Sequence, residues 1–288
     1  MHPLLMARHF VSMGGIFDMM VSDLKQISHA MRRDILEMGF SCGANGAHLG
    51  GSLSLVEIMA VLYSRVMHFT AVNPVETTRD RLILSKGHGV MAQYAALRQI
   101  GVLDTEELHT FKQNDSKLSA HPSINLEIGI EFSSGSLGQG LSLGVGSALA
   151  LKMKGNTSSR VYVILGDGEC GEGSIWEAAL SASHYGLTNL VAIIDRNRLQ
   201  YDGDTEIILP LENFSEKWKA FGWDVANCNG HDEEQLVAAL SKPYQKPFVL
   251  IADTVKGKGI SFMENVPQWH NGVLTKSMYE AALSELEG

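Results

Sequence analysis

An aspartate between two glycines, Gly166-Asp167-Gly168, directly follows a run of apolar residues at 161–165. Glycines let the backbone approach an anionic ligand closely, and the free amide groups that open a following helix can donate hydrogen bonds to phosphate oxygens. A carboxylate at this place would repel a phosphate group unless a cation lay between them. The segment therefore indicates a site for a phosphorylated ligand together with a metal ion.

A second apolar run, at 190–194, leads into the polar segment that contains Asn197 and Leu199. The carboxylate of Asp167, the amide oxygen of Asn197 and the backbone carbonyl of Leu199 are hard oxygen donors, which Mg²⁺ and Ca²⁺ prefer. Gly-Asp-Gly alone is also an ordinary turn. The second segment favours a site for Mg²⁺ (or Ca²⁺) and a diphosphate over the turn.

Three apolar runs, at 161–165, 190–194 and 248–252, are continuous rather than alternating in polarity. This pattern is typical of parallel strands that are covered by helices on both faces. Helical patterns between the runs predict an α/β fold with a doubly wound, mostly parallel sheet flanked by helices. Because ligands bind beyond the carboxyl ends of the strands in such sheets, we expect the two polar segments to meet there.

Apolar residues recur at helical spacing from Asp23 onward, and Gly39 follows where a C-terminal cap is expected. A further helix is expected after Ser54, which would be its N-cap. We expect residues 1–22 to be an over-extended start or a disordered N-terminal arm rather than a targeting peptide, without an assigned function. Residues 23–288 are expected to form a single domain.

The composition argues against several classes of protein. The formal net charge is −9 and no basic run stands out, so no nucleic acid partner is expected. No stretch of about 18 apolar residues is present to span a bilayer, so no membrane association is expected. The three cysteines are far apart and form no CxxC pair, which is typical of a reducing compartment and favours the cytoplasm.

Gly-Asp-Gly after one strand and Asn197 after the next resemble the motif of thiamine-diphosphate enzymes. Four further segments narrow the resemblance to the transketolase family, in that family's order: 47–63, 80–89, 121–146 and 254–272. The resemblance covers most of the chain. It implies the diphosphate-binding domain of the thiamine-diphosphate-binding fold, with thiamine diphosphate and Mg²⁺ (or Ca²⁺) as cofactors.

The resemblance also gives matching residues a role near the cofactor. Asp167, Asn197 and the carbonyl of Leu199 would be the metal ligands, and Gly168 would donate its amide to the diphosphate. The other residues that it implies in cofactor binding are His88, Gly135, Leu137, Gly166, Glu169, Tyr201, Lys256 and His270.

Three positions depart from the usual family pattern. The backbone of Gly135 and Leu137 matches the part that holds the aminopyrimidine, but Ser136 stands between them where many members have proline. Tyr201 and Lys256 stand where apolar residues often face the thiazolium ring. Lys256 is expected either to contact the diphosphate or to reach solvent.

Four histidines match catalytic histidines of the family. His88 and His270 match residues that contact the diphosphate and the reacting sugar, and His48 and His121 match residues that bind hydroxyl groups of the donor ketose. An imidazole can donate a hydrogen bond to a phosphate and can transfer protons near neutral pH.

Two acidic residues, Glu172 and Glu177, match carboxylates at the family's subunit interface. In that family a glutamate on a second, pyrimidine-binding domain activates the cofactor, which lies between domains of two subunits. This sequence ends at Gly288, shortly after the last matching segment. We therefore expect the catalytic glutamate to come from a C-terminal transketolase subunit in an α₂β₂ heterotetramer.

The activity implied by the resemblance is the transfer of a two-carbon ketol unit between sugar phosphates. One alternative is a subunit of another thiamine-diphosphate enzyme, of the pyruvate-aldehyde synthase or 2-oxo-acid dehydrogenase type. His48 and the segments 85–89 and 269–272 argue against the dehydrogenase. A non-catalytic cofactor-binding subunit is the other alternative.

Overall fold

The computed structural model describes residues 13–287, with side chains described from Asp23 onward. Its strands are β1 (Arg81–Leu84), β2 (Val161–Gly166), β3 (Leu190–Arg196), β4 (Leu199–Gln200), β5 (Gly203–Asp204), β6 (Asp224–Asn229) and β7 (Phe248–Asp253). Its helices are α1 (Met13–Ser41), α2 (Leu49–Leu53), α3 (Val56–Val61), α4 (Val90–Gln99), α5 (Thr105–His109), α6 (Gly140–Met153), α7 (Gly173–His184), α8 (Thr205–Ile208), α9 (Phe214–Ala220), α10 (Glu233–Leu240) and α11 (Lys276–Glu287).

The main sheet has five parallel strands in the order β1-β2-β3-β7-β6, and β4 and β5 form a separate antiparallel pair. The three apolar runs are β2, β3 and β7, which confirms the predicted α/β fold with a mostly parallel sheet. The two outer strands were not predicted. β6 is the sequence DVANCN, whose polar residues give no apolar run, and β1 has only four residues.

Helices cover the sheet on both faces, so the core has two halves. Tyr162 and Ile164 of β2 belong to the half that packs against α1, α3 and α4, whereas Val163 and Leu165 belong to the half that packs against α6 and α7. Because both halves exclude water, successive residues of a central strand are apolar rather than alternating. Within residues 13–287, no helix has the length and apolarity to cross a membrane.

The first helix is longer than the spacing predicted. It runs from Met13 to Ser41, so the expected boundary at Asp23 falls inside it, and the first 12 residues of the expected arm lie outside the described part. Gly39 was expected to cap the helix, which was wrong. A Cβ atom at Gly39 would lie 2.7 Å from Cδ2 of Leu49, so the glycine permits close packing of α1 on α2.

Ser54 was predicted as the N-cap of the next helix, which was wrong, because it is the C-cap of α2. It lies between α2 and α3, and α3 begins only at Val56. The hydroxyl of Ser54 has two acceptors within hydrogen-bond distance, the carbonyl of Gly51 (3.2 Å) and Oδ2 of Asp195 (2.7 Å). A buried carboxylate on a distant strand is the stronger acceptor, because it must recover the hydrogen bonds that it loses on leaving water.

Candidate active site

Four loops meet at the carboxyl edge of the main sheet. They begin after β1, β2, β3 and β7, respectively at Ser85, Asp167, Asn197 and Thr254. Since these strands are parallel, their carboxyl ends lie at one edge of the sheet. The register pairs Gly166 with Asp195, which places the two polar segments side by side.

A cavity of about 390 Å³ lies among these loops, a size suited to a small-molecule ligand. The residues predicted from the sequence that line it are His48, His88, His121, Gly135, Leu137, Gly166, Asp167, Gly168, Glu169, Glu172, Asn197, Leu199, Tyr201, Lys256 and His270. Glu177 is not among its lining residues and lies exposed on α7. Four further lining residues were not predicted from the sequence: Gly51, Lys86, Gln200 and Asp202.

The three proposed metal-binding oxygens lie in this cavity. Asp167 is 2% exposed and accepts hydrogen bonds from the backbone N–H groups of Gly168 (2.8 Å) and Arg198 (2.6 Å). Oδ1 of Asn197 accepts one from the backbone N–H of Leu199 at 3.1 Å. Carboxylate and amide oxygens have further lone pairs, so both can also bind a cation.

The electrostatics of Asp167 fit a bound cation. Burial raises the pKa of Asp167 to about 6, and the neighbouring Asp195 carboxylate adds to the rise. A divalent ion beside Asp167 would offset both effects. Across residues 13–287, no group of three His, Cys, Asp or Glu side chains could hold a metal ion. An ion held by one carboxylate, one amide and one carbonyl would therefore need ligand or water oxygens as well, as Mg²⁺ commonly does.

Asp195 connects the loops that form the cavity through its hydrogen bonds. This role was not predicted from the sequence. Its Oδ2 contacts Nζ of Lys86 and accepts hydrogen bonds from Ser54 and from Nδ2 of Asn197 (2.9 Å), while Oδ1 accepts one from the hydroxyl of Thr254. Burial alone would raise its pKa, but the Lys86 ammonium and these hydrogen bonds hold it below the usual range. An aspartate that directly follows an apolar run and lies within a buried strand was the available signal.

The four predicted histidines surround one point of the cavity. The ring centroid of His48 lies 5.8 Å from that of His88, 5.4 Å from His121 and 5.6 Å from His270, and His88 stacks on His270 at 4.9 Å. Burial and the neighbouring cationic groups lower the pKa of His48 and of His270 to about 4 and that of His88 well below its usual range. These imidazoles are therefore neutral at pH 7, so each has one ring nitrogen that can accept a hydrogen bond.

Lys256 points into the cavity and does not reach solvent. It is 1% exposed, and its Nζ donates a hydrogen bond to the carbonyl of Leu199 at 2.9 Å and lies 3.1 Å from Nδ1 of His270. Burial, followed by the nearby Lys86 charge, lowers its pKa to about 8, so it is mostly charged at pH 7. Tyr201 is 72% exposed at the cavity rim, with its ring edge-to-face with His270 at 5.2 Å.

Glycines keep the cavity open. A Cβ atom at Gly51 would lie 3.0 Å from Cδ2 of His88, and one at Gly168 would lie 2.9 Å from Cβ of Gln200. Gly135 has φ +150°, a conformation that other residues rarely adopt. Replacing any of the three would require neighbouring atoms or the backbone to shift.

Glu169 is held by protein groups. Its carboxylate contacts the hydroxyl of Ser85 and accepts hydrogen bonds from the backbone N–H groups of Gly138 (2.8 Å) and Gly166 (3.0 Å). These bonds connect the loops after β1 and β2 to the start of α6. The predicted contact of Glu169 with the cofactor stays a prediction, as does the backbone contact of Leu137, whose side chain is exposed.

The sequence matches to known proteins extend over nearly the whole chain. Residues 22–285 match the family described as transketolase, thiamine diphosphate binding domain. The chain is 44% identical to a subunit of the apulose-4-phosphate transketolase of Phocaeicola vulgatus, over 93% of this chain and 95% of that protein. It is 42% identical to the 6-deoxy-6-sulfo-D-fructose transketolase subunit SqwG of a Clostridium species, over 92% of this chain and 96% of that protein.

The fold agrees with these matches. The structure of transketolase from Leishmania mexicana superposes with a TM-score of 0.84 at 28% identity, over 92% of this chain and 41% of that one. The family match and this superposition together identify the fold as the thiamine-diphosphate-binding fold. The chain belongs to the transketolase thiamine-diphosphate-binding-domain family, which confirms the resemblance found in the sequence.

Proposed function

We propose that this chain is the thiamine-diphosphate-binding subunit of a two-subunit transketolase that transfers a two-carbon ketol unit between sugar phosphates. The observation that carries the proposal is that the four histidines and the oxygen donors line one cavity. The two relatives described above support it, because each bears the name of a transketolase subunit, and this chain covers more than nine tenths of the length of each.

In this proposal, Asp167, Asn197 and the carbonyl of Leu199 hold Mg²⁺ (or Ca²⁺). The backbone amide of Gly168 and the ammonium of Lys256 bind the diphosphate. When bound, thiamine diphosphate supplies a nucleophilic carbon and an electron sink. The protein's part is to hold the diphosphate, exclude water and place proton-transferring groups beside the substrate.

The histidines perform this last task. His48 and His121 accept hydrogen bonds from hydroxyl groups of the donor sugar, because their imidazoles are neutral at pH 7. His88 and His270 lie stacked beside Lys256, where they can contact both the diphosphate and the sugar. Because their lowered pKa values keep these rings neutral at pH 7, they would contact a phosphate by hydrogen bonds rather than by charge.

A C-terminal transketolase subunit would supply the pyrimidine-binding domain and its catalytic glutamate. We place Glu172 and Glu177 at the interface of an α₂β₂ assembly, since both are exposed near the cavity mouth or on the adjoining helix. We further propose that residues 23–288 act as one diphosphate-binding domain. The three cysteines are free and buried, which suits the reducing cytoplasm.

The test combines the purified chain with the product of the neighbouring gene, if that gene encodes a pyrimidine-binding transketolase subunit. Thiamine diphosphate and Mg²⁺ are added, and ketol transfer is measured over a panel of ordinary and branched sugar phosphates. Transfer that requires both subunits supports the proposal. Tight cofactor binding without turnover on any substrate would contradict it and favour a non-catalytic subunit.

A further inference from the structure

A buried carboxylate on α3 is connected by side chains to the loop that carries Lys256. Glu57 is 5% exposed, and its Oε2 accepts a hydrogen bond from Nδ1 of His231 at 2.8 Å. Its Oε1 accepts one from Nη2 of Arg32, a residue of α1. None of Arg32, Glu57 and His231 lines the cavity that holds the candidate active site.

Both partners of Glu57 also form hydrogen bonds with the backbone of the loop after β7. Nε2 of His231 accepts a hydrogen bond from the N–H of Val255 at 2.8 Å, and Nε of Arg32 donates one to the carbonyl of Lys258 at 3.1 Å. Because Nε2 accepts, Nδ1 must carry the proton that is donated to Glu57. The ring of His231 is thus held between two partners.

These two anchor points lie on either side of Lys256. The short segment between them places the Lys256 ammonium in the cavity, next to Leu199 and His270. Gly259 makes room for the second anchor, because a Cβ atom there would lie 2.6 Å from Nε of Arg32. The loop is therefore shaped to accept this contact.

We propose that Arg32, Glu57 and His231 are positioning residues that hold the loop of Lys256 in the conformation required to bind a diphosphate. The inference rests on the proposed function only in taking thiamine diphosphate as the ligand. If the lysine is already held in place, less conformational entropy is lost when the ligand binds.

Two substitutions at His231 separate positioning from general stability. His231→Asn keeps an amide donor near Glu57 but has no acceptor within reach of Val255. His231→Gln extends an oxygen acceptor to the place of Nε2. His184→Asn, at the exposed end of α7, is the matched control, since His184 lines neither the active-site cavity nor the pocket around Arg32, Glu57 and His231.

Amide hydrogen exchange of residues 254–260 is measured in the full chain, with the affinity for thiamine diphosphate and Mg²⁺ by calorimetry. His231→Asn should exchange about fivefold faster and bind about fivefold more weakly, the size of effect expected from one lost hydrogen bond. His231→Gln, which restores the acceptor for Val255 but not the donor to Glu57, should lose less than His231→Asn in both, and His184→Asn should resemble the wild type in both. Ketol transfer is not measured, so failure of the proposed reaction does not affect the result.

Equal losses in His231→Asn and His231→Gln would overturn the proposal, as would faster exchange of the loop with unchanged affinity. A lower melting temperature of His231→Asn with wild-type exchange in residues 254–260 would also overturn it. If His231→Asn does not fold, Arg32→Lys takes its place, because it keeps a charge beside Glu57 but lacks the N–H that reaches Lys258. Arg32→Lys must then show the same two losses.

Discussion

The ammonium group of Lys86 contacts Oδ2 of Asp195 where both side chains are at most 1% exposed. Hydrogen bonds from Ser54, Asn197 and Thr254 complete the shell of the carboxylate. The pair therefore lies at the junction of the loops that form the cavity. A buried pair of this kind adds little net stability over apolar residues of the same shape, but the loss of one partner is costly.

Asp195→Asn should destabilise the fold by about 3–5 kcal/mol, because it leaves the Lys86 charge buried without a partner. Urea unfolding of the chain measures the change. Asp253→Asn is the control, since Asp253 pairs with Arg198 at a half-exposed position and should cost less than about 1 kcal/mol. Similar losses in the two variants would contradict the interpretation.

Asp167→Asn should abolish magnesium-dependent binding of thiamine diphosphate while leaving the free energy of unfolding at pH 7 within about 1 kcal/mol of the wild-type value. The pKa of Asp167 is raised to about 6, so at pH 7 the folded chain contains an unfavourable buried charge. Its removal offsets the loss of one of the two backbone hydrogen bonds. Calorimetric titration measures the binding, and urea unfolding measures the stability. A loss of several kcal/mol, or retained binding, would be inconsistent with this account.

The contribution of His48 and His270 to the unfolding free energy should fall as the pH is lowered from about 6.5 towards 4, while Asp167, whose pKa is raised to about 6, contributes in the opposite direction. The pKa values of His48 and His270 are about 4 in the folded chain, below the ordinary histidine value of 6.5. In that window these two histidines bind protons in the unfolded state but not in the folded state, so their contribution to stability is lost with falling pH. NMR titration of the ring Cε1–H signals, assigned with His48→Asn and His270→Asn, gives the two values directly. Midpoints near 6.5 for these rings would refute the prediction.

Gly51→Ala should weaken cofactor binding about tenfold, because the new methyl group would lie 3.0 Å from His88 and displace its ring. Gly146→Ala on α6 is the matched control. A Cβ atom there meets nothing within 4 Å, so alanine should leave binding unchanged and stabilise the helix by about 0.5–1 kcal/mol. Affinity for thiamine diphosphate and the melting temperature are measured for both. Equal affinities in the two variants would show that the space around His88 is not limiting.

The central part of the fold could be predicted from the sequence because apolar runs report burial on both faces of a strand. β2, β3 and β7 were found in this way, and the strand ends then predicted where Asp167 and Asn197 would meet. β6 was missed because a polar strand at the edge of a sheet gives no such pattern. The end of α1 was missed because Gly39 packs against a distant leucine, which local spacing cannot report.

The features of the candidate site can be separated in the same way, into those predicted from local motifs and those found only in the structure. The sequence alone determined the family and the residue types near the cofactor, because Gly-Asp-Gly and the histidine segments are local motifs. Only the tertiary structure decided that Lys86 pairs with Asp195, that Lys256 points inward, and that Glu57 reaches the loop of Lys256 through His231. Each of these contacts joins segments far apart in the chain, and their partners are chosen by burial, where a charge or polar group must find its complement or raise the free energy of the fold.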